Sequence, residues 1–478
     1  MIPLLLLLLA CTCRDEAAIE QVVLISIDTL RADFLGCYGN QVVETPYIDW
    51  IAAEGVLFEN HFVTAPTTLA SHAALMTSTY PHTHGAPRNG FILNEANLTL
   101  AEVFSQNNWN TAAFVGGFPL KSHFGFGQGF STFDEEMAER TPGIIDKFTQ
   151  RDAATVTDAT LAWLEKNAEK QLFLFVHYYD VHSPYQAPVP YSTMYFERSA
   201  FIQGTADDIK MVQRGIKEGK PGGFRGSEVL KACYAGEVSW TDLQIGRLIE
   251  GMAKLGIGEQ ALIIVTSDHG ETMAEFPDKE VWAHGVGVFD TTVHVPLIFR
   301  LPGGPAGVRR NALASQIDVM PTILELVGLP LPPQAEGQSM VPLIREDIPF
   351  RTEIFAEATK PYNTMAGYEE GVTWTNEKKA RAIRTDSHKL IHTPHLHEDL
   401  LFSLPDEQTN LLQAPGSREL AKSLKDQLFE WDATANPLPS DFDGGKSTAK
   451  MLEALGYIDE VREKEKAKAK AKAKEKEN

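Results

Sequence analysis

The chain has 478 residues, 43% of them hydrophobic and 22% charged, a globular composition with enough length for a large core and a smaller second unit. The formal net charge is −21, and the stretch from Arg462 onward is basic, so the rest of the chain carries about −25. Such a body repels nucleic acid and anionic membrane surfaces, and an anionic substrate would need a metal and a few local cations to draw it in.

Leu4 to Ala10 form an apolar run far too short to span a bilayer, and they suit a signal-peptide core. Leu8, Leu9, Ala10 and Cys11 resemble a bacterial lipobox, although no Lys or Arg precedes the run. The expectation is an exported protein of the periplasm or cell envelope. A lipid on Cys11 would be its membrane contact, and residues 1–19 its targeting segment and linker. Cys37 and Cys233 have no metal-ligand spacing and give no disulfide framework.

Val22 to Ile27 read as a strand buried on both faces, ending at Asp28. A helix over Thr45–Gly55 has proline in its first turn and glycine after its last. Thr64 to Ser78 follow, with Pro66 in a loop and several hydroxyls at the start of a short apolar helix. Such a start favours an anion, but a lone Ser or Thr there is most often a cap. A helix over Leu100–Asn107 and a strand over Thr111–Val115 lead to a glycine-rich loop holding Lys121 and His123. A helix over Arg151–Asn167 precedes a strand from Leu172 to Tyr178, which runs into Tyr179, Asp180 and His182.

Ala187 to Ser227 show no firm period and are read as an insertion or lid. A helix over Glu228–Leu255, a strand over Ala261–Thr266 ending in Asp268-His269, a strand over Val295–Arg300 and a helix from Ile317 complete the alternation. The fold class predicted is α/β: a central, mostly parallel sheet with helices on both faces, plus a small C-terminal α+β subdomain. The boundaries read as 20–345 for the catalytic domain, 346–456 for the subdomain and 457–478 for a low-complexity Lys/Ala/Glu tail.

Asp28, Asp268 and His269 all stand at predicted strand ends, where α/β sheets hold ligands. Each alone reads equally well as a cap or a half-buried side chain. With the Thr68 hydroxyl they make a plausible oxygen and nitrogen set for one divalent cation.

Six pieces in order carry a resemblance: Ile27–Asp33, Thr45–Asp49, Leu75–Gly85, Asp180–Tyr185, Ser267–Glu271 and Asp318–Thr322. By these the chain resembles the sulfatase family of the alkaline phosphatase superfamily. The resemblance implies a metal-dependent hydrolase of sulfate or phosphate (phosphonate) esters, with one metal on Asp28, Asp268 and His269. It implies a covalent nucleophile at Thr68, which also touches the metal, or at Thr67 if the register slips by one. The family suggests Ca, while the histidine permits Zn or Mn.

The chain departs from sulfatases at Thr68-Leu69-Ala70-Ser71-His72, which stands in place of a Cys-x-Pro-x-Arg type motif. No formylglycine is expected, because oxidised threonine is a ketone. Thr29 replaces an acidic ligand and His269 an asparagine, as in the threonine-nucleophile branches of the superfamily. A sulfated threonine has no carbonyl hydrate through which to expel sulfate, so a phospho-ester is favoured. His182 and His284 fall where the leaving oxygen and the anion would be met. Lys121, His123, Asp180, Arg88, Asn89 and Ser71 are the remaining candidates for substrate contact. Asp180 reads either as the group that orients His182 or as a ligand, and Arg88 and Asn89 equally as an exposed turn. The alternatives are an envelope phosphoethanolamine- or phosphoglycerol-type transferase and a non-catalytic surface binding protein. The expected substrate is a small-molecule, glycan or lipid ester.

Overall fold

A computed structural model describes residues 19–137, 150–168, 170–196, 202–258, 260–276, 282–361, 379–394, 398–434, 436–443, 445, 448 and 451–452. The targeting segment and the whole of the 457–478 tail lie outside these residues. In chain order the elements begin with β1 (Gln21–Ile27), α1 (Pro46–Ala53), β2 (Val56–Phe62), α2 (Thr68–Thr77), α3 (Pro81–His84) and β3 (Phe91–Ile92). Next come α4 (Leu100–Gln106), β4 (Asn110–Val115), β5 (Thr132–Asp134), α5 (Ala153–Leu164), β6 (Leu172–Tyr178), α6 (Ala206–Lys217), α7 (Pro221–Lys254) and β7 (Ala261–Ser267). Then follow α8 (Asp290–Val293), β8 (Leu297–Arg300), β9 (Val308–Ser315), α9 (Val319–Leu326) and α10 (Val341–Arg345). The last are β10 (Ile354–Pro361), β11 (Lys379–Arg384), β12 (His388–Thr393), β13 (Glu398–Ser403), α11 (Ser417–Ala433) and β14 (Asp441–Phe442).

The main sheet has eight strands in the order β5-β4-β6-β1-β7-β8-β2-β9. Only β8 opposes its neighbours, so the sheet is mostly parallel as the alternation predicts. Along β1, Val23, Ile25 and Ile27 enter one core and Val22 and Leu24 the other. That two-sided burial is why β1 is an unbroken apolar run rather than an alternating one. Side chains of α5, α6 and α7 fill the first core, and those of α2, α4 and α9 the second.

Because β8 is antiparallel, it starts at the end of the sheet where β7 finishes. The connection between them therefore needs no crossover, and both its ends lie where β1 and β6 also finish. Three sheet strands, β2, β5 and β9, escape the sequence reading. β9 alternates in exposure over its first half as an edge strand does, so it lacks the apolar run that marks the central strands.

The region read as an insertion without period contains α6. Ile209, Val212 and Ile216 form its buried face, and Thr205 and Asp208 close a capping box at its start. Glycines interrupt the apolar pattern here: a Cβ at Gly223 would come within 2.4 Å of the Gly215 backbone, so small residues let α6 and α7 approach closely beside their apolar contacts. The C-terminal unit is the antiparallel sheet β10-β11-β12-β13. Leu424 and Leu428 of α11 pack on Ile383, Leu390 and Leu401 of that sheet. On its other face, Ala356, Ala380, Ile391 and Phe402 join Phe62, Val293 and Leu313 of the main body.

Candidate active site

The centre of the sheet brings the sequence candidates together. β6, β1 and β7 run parallel, with Ile27 level with Tyr178 on one side and Ser267 on the other. Asp28 and Asp268, the next residues along, therefore emerge side by side, with His177 one residue back on β6. Asp28 N–H donates to the Tyr178 carbonyl at 2.8 Å. Asp28, Asp268 and His269 have no exposure. One ligand atom from each lies within 4.8 Å of the others, the one such His/Cys/Asp/Glu group among the described residues.

The hydrogen bonds fix which atoms face inward. Asp268 Oδ1 accepts from Thr29 N–H at 3.1 Å and from His269 N–H at 2.8 Å. His269 Nδ1 donates to the Gly270 carbonyl at 2.9 Å, which leaves the Nε2 lone pair as its inward face. That nitrogen is 3.4 Å from Asp268 Oδ2 and 3.9 Å from Asp28 Oδ1. Among the described residues, both Asp28 oxygens, Asp268 Oδ2, His269 Nε2 and Thr68 Oγ1 are buried without a hydrogen-bond partner.

Buried oxygens and an imidazole nitrogen without protons between them are a costly arrangement for a protein alone and a fitting one for a divalent cation. The electrostatics agree. Burial raises the Asp28 carboxyl, against the fields of His182 and His269 and the Thr68 hydroxyl, which favour its charge. Burial and Asp28 raise Asp268. Burial works against a charge on His269, yet Asp268 and Asp28 outweigh it and raise its pKa. Two carboxylates and a base facing one another compete for protons that a cation would replace.

Thr68 opens α2. Its neighbour Thr67 takes the extended N-cap backbone, but its hydroxyl makes no capping bond. The capping contact comes from outside the helix: Asn89 Oδ1 accepts from Leu69 N–H at 2.8 Å. Asn89 is therefore a buried anchor for this helix start and not an exposed turn. Arg88 is buried with it, its guanidinium 5.3 Å from the Phe91 ring centre. Released from capping, the Thr68 hydroxyl lies at the positive end of α2 beside Asp28. Thr29 holds a left-handed backbone (φ 55°) directly after Asp28, a strained geometry for a β-branched residue.

His182 and His284 complete the pocket. The His284 ring lies 4.4 Å from that of His269 and 5.4 Å from that of His182. His284 Nδ1 pairs with Glu271 Oε2 at 3.2 Å, a carboxylate that supports an imidazolium. His182 Nδ1 donates to the Ser183 carbonyl at 2.7 Å. Burial pushes its pKa down to about 4, against the field of Asp28. Near neutral pH His182 is therefore an uncharged imidazole, which changes its expected part as an acid.

Other expectations shift. Asp180 does not hold His182 Nδ1, which is taken by Ser183, and it instead accepts from Trp240 Nε1 at 3.2 Å. Ser71 donates to the Asp268 carbonyl and accepts from Gln316 at 2.6 Å, so it braces the strand end. Lys121 and His123 lie on a surface turn. His123 is solvent-exposed, 3.9 Å from Asp443 and against Phe124, because the glycine-rich loop turns it outward. No described contact joins it to the strand ends.

Two histidines at the centre escape sequence reasoning. His177 Nε2 is 3.4 Å from Asp28 Oδ2, and burial drops its pKa to about 4. His72 donates from Nδ1 to the Thr68 carbonyl at 2.7 Å and meets Ser26 Oγ with Nε2 at 2.8 Å. The available signals were a histidine at the tip of an apolar strand and the histidine four residues after Thr68.

Comparison with known proteins agrees with this geometry. The sulfatase family model matches residues 20–329, and the model described as N-sulphoglucosamine sulphohydrolase, C-terminal, matches residues 282–434. The multifunctional alkaline phosphatase superfamily protein PehA of Trinickia caryophylli is 25% identical, across 86% of this chain and 95% of its own. The ulvan-active sulfatase of Formosa agariphila is 28% identical, across 87% and 81%. The phosphonate monoester hydrolase SpPMH from Silicibacter pomeroyi shares the fold, with a TM-score of 0.71 at 23% identity over 87% of this chain and 95% of that one. The chain belongs to the sulfatase family. As such it is a sulfuric or phosphoric ester hydrolase of the alkaline phosphatase superfamily, a metal-dependent class.

Proposed function

We propose that Thr68 is the covalent nucleophile of this hydrolase, that one divalent cation sits on Asp28, Asp268 and His269, and that a phospho-ester is preferred over a sulfate ester. The observation that carries the reading is the buried Thr68 hydroxyl at the start of α2, turned toward the Asp28 carboxylate that lies beside Asp268 and His269. A cation bound there would supply Lewis acidity, lowering the Thr68 hydroxyl pKa and attracting the ester anion; the family suggests Ca, and the histidine allows Zn or Mn.

The side chains do the rest. Thr68 Oγ1, its proton lost to solvent, bonds to phosphorus as the bond to the leaving oxygen breaks. His284, paired with Glu271, gives that oxygen its proton. His182, neutral, positions the oxygen through hydrogen bonding. Water then attacks the phosphorus, His284 takes its proton, and the Thr68 oxygen is expelled and reprotonated. The names of relatives point to phosphonate and glycan sulfate esters, and a threonine ester that water can hydrolyse suits phosphorus better than sulfur. The exported, lipid-anchored placement through Cys11 is part of this proposal and rests on the lipobox-like segment.

Acid-quenching the protein during turnover of an aryl phenylphosphonate and mapping peptides by mass spectrometry tests the covalent step. The expected result is a phenylphosphonyl group on Thr68. An adduct on another residue would overturn the assignment.

A further inference from the structure

Arg151 lies outside the site described so far and is 3% exposed. Its Nη1 donates to Asp134 Oδ1 at 2.7 Å and to the Glu136 carbonyl at 3.3 Å. Its Nε and Nη2, which share one edge of the guanidinium, are buried and make no hydrogen bond among the described residues. Two parallel N–H groups on one guanidinium edge match a carboxylate, sulfate or phosphate, and leaving them buried and unpaired is unfavourable.

The position of this fork ties it to the catalytic pocket. Arg151 N–H donates to the Gly116 carbonyl at 2.9 Å, at the end of β4 beside β6. Its charge is felt by His177, which is 3.4 Å from Asp28. With Asp152, Tyr179, Asp180, Gln186 and Glu237, Arg151 lines a cleft with about 330 Å³ of atom-free space, part of it open to solvent, and is the cation of a lining that also holds three carboxyl groups. The Tyr179 ring stacks on His182 at 4.5 Å, so one aromatic ring separates the cleft from the pocket. Gly117 lets that ring seat, since a Cβ there would come within 2.4 Å of it. His182 meets the leaving oxygen, so the cleft lies on the leaving-group side.

We propose that the Nε–Nη2 edge of Arg151 binds a second anionic group, a carboxylate or a further sulfate or phosphate, carried by the leaving group of the substrate. The proposal rests on the catalytic reading above. It makes the preferred substrate an ester of an acidic alcohol or acidic sugar. It also names a local cation that lets a body of net charge −21 accept such a molecule.

Kinetics on 4-carboxyphenyl and 4-carbamoylphenyl phenylphosphonate, which differ by one charge, test it. The wild type should prefer the carboxylate, and Arg151→Gln should lower the ratio of the two kcat/KM values about tenfold or more. Arg151→Lys keeps the charge beside Asp134 but not the fork, and should lower the ratio several-fold; it also serves if the glutamine variant does not fold. Equal losses on both substrates, or an unchanged ratio in the folded variants, would overturn the proposal. A wild type inactive on both esters would instead count against the catalytic reading.

Discussion

Two of the buried clusters of acidic and basic side chains in this protein differ in where their positive charge comes from. In the first, Lys389 Nζ lies 2.7 Å from both Asp290 Oδ1 and Glu407 Oε1, Arg384 Nε approaches Asp290 Oδ2 at 3.4 Å, and Asp290 N–H donates to Glu407 Oε2 at 2.7 Å. Burial opposes the charge on Asp290, but Lys389 and Arg384 prevail and bring its pKa to about 2. In the second, Asp28 and Asp268 have no exposure, no lysine or arginine pairs with them among the described residues, and burial raises both carboxyls. The residue types are alike, but the first cluster has its own cations and keeps part of Asp290 in solvent, and the second has neither. Where the chain supplies the cation, the cluster joins the C-terminal sheet to the main body. Where it does not, the cluster suits the divalent cation proposed above.

That contrast can be broken or sharpened by substitution. The largest effect belongs to the open cluster: Thr68→Ala should lower kcat/KM on phosphonate esters by about a thousandfold or more, while metal content stays near wild type. An activity loss of only a few-fold in the metal-loaded variant would remove Thr68 from its assigned place. Next, Lys389→Ala should cost about 3–5 kcal/mol in denaturant unfolding, because it leaves Glu407 buried without its cation and Asp290 with Arg384 alone.

The open cluster should respond with the opposite sign. In chelator-treated protein at pH 8, Asp28→Asn should stabilise by about 1–3 kcal/mol, since it removes a buried, unpaired charge. The sign follows from the raised pKa: the metal-free fold loses stability as pH rises above the ordinary carboxylate range, and the amide has no such loss. A destabilised Asp28→Asn protein under those conditions would contradict the comparison.

The last effect comes from a histidine outside both clusters. Burial lowers the His61 pKa to about 3 from 6.5. Its contribution is therefore intact above pH 6.5 and is lost as pH falls toward 3. His61→Gln should flatten the acid limb of the stability profile by about 1.4 kcal/mol per pH unit, read from unfolding midpoints between pH 6 and 4.

The same contrast explains what the amino-acid sequence reveals. Asp28 and Asp268 are legible because each ends an apolar run, and a carboxylate at the end of a buried parallel strand has few structural uses. The order of elements gives the parallel sheet for the same reason. His177 is not legible, because its meaning depends on β6 lying beside β1, a fact of strand order that no local pattern carries. His72 is hidden because its partners, Ser26 and the Thr68 carbonyl, are contacts between a helix and a strand. Lys121 and His123 err in the other direction. The residue types suit an anion, but backbone turns at Gly125 and Gly129, both with positive φ, set the direction of the loop. Asn89 shows how a side chain read as a surface turn becomes a buried cap once a distant loop folds back.

Metal analysis is the most direct test of the open cluster. Elemental mass spectrometry on wild type, Asp28→Asn, Asp268→Asn and Lys389→Ala, each verified as folded, should find about one divalent ion per chain in wild type and Lys389→Ala, and little in either aspartate variant. Undiminished metal in the two aspartate variants would place the cation elsewhere and end the account.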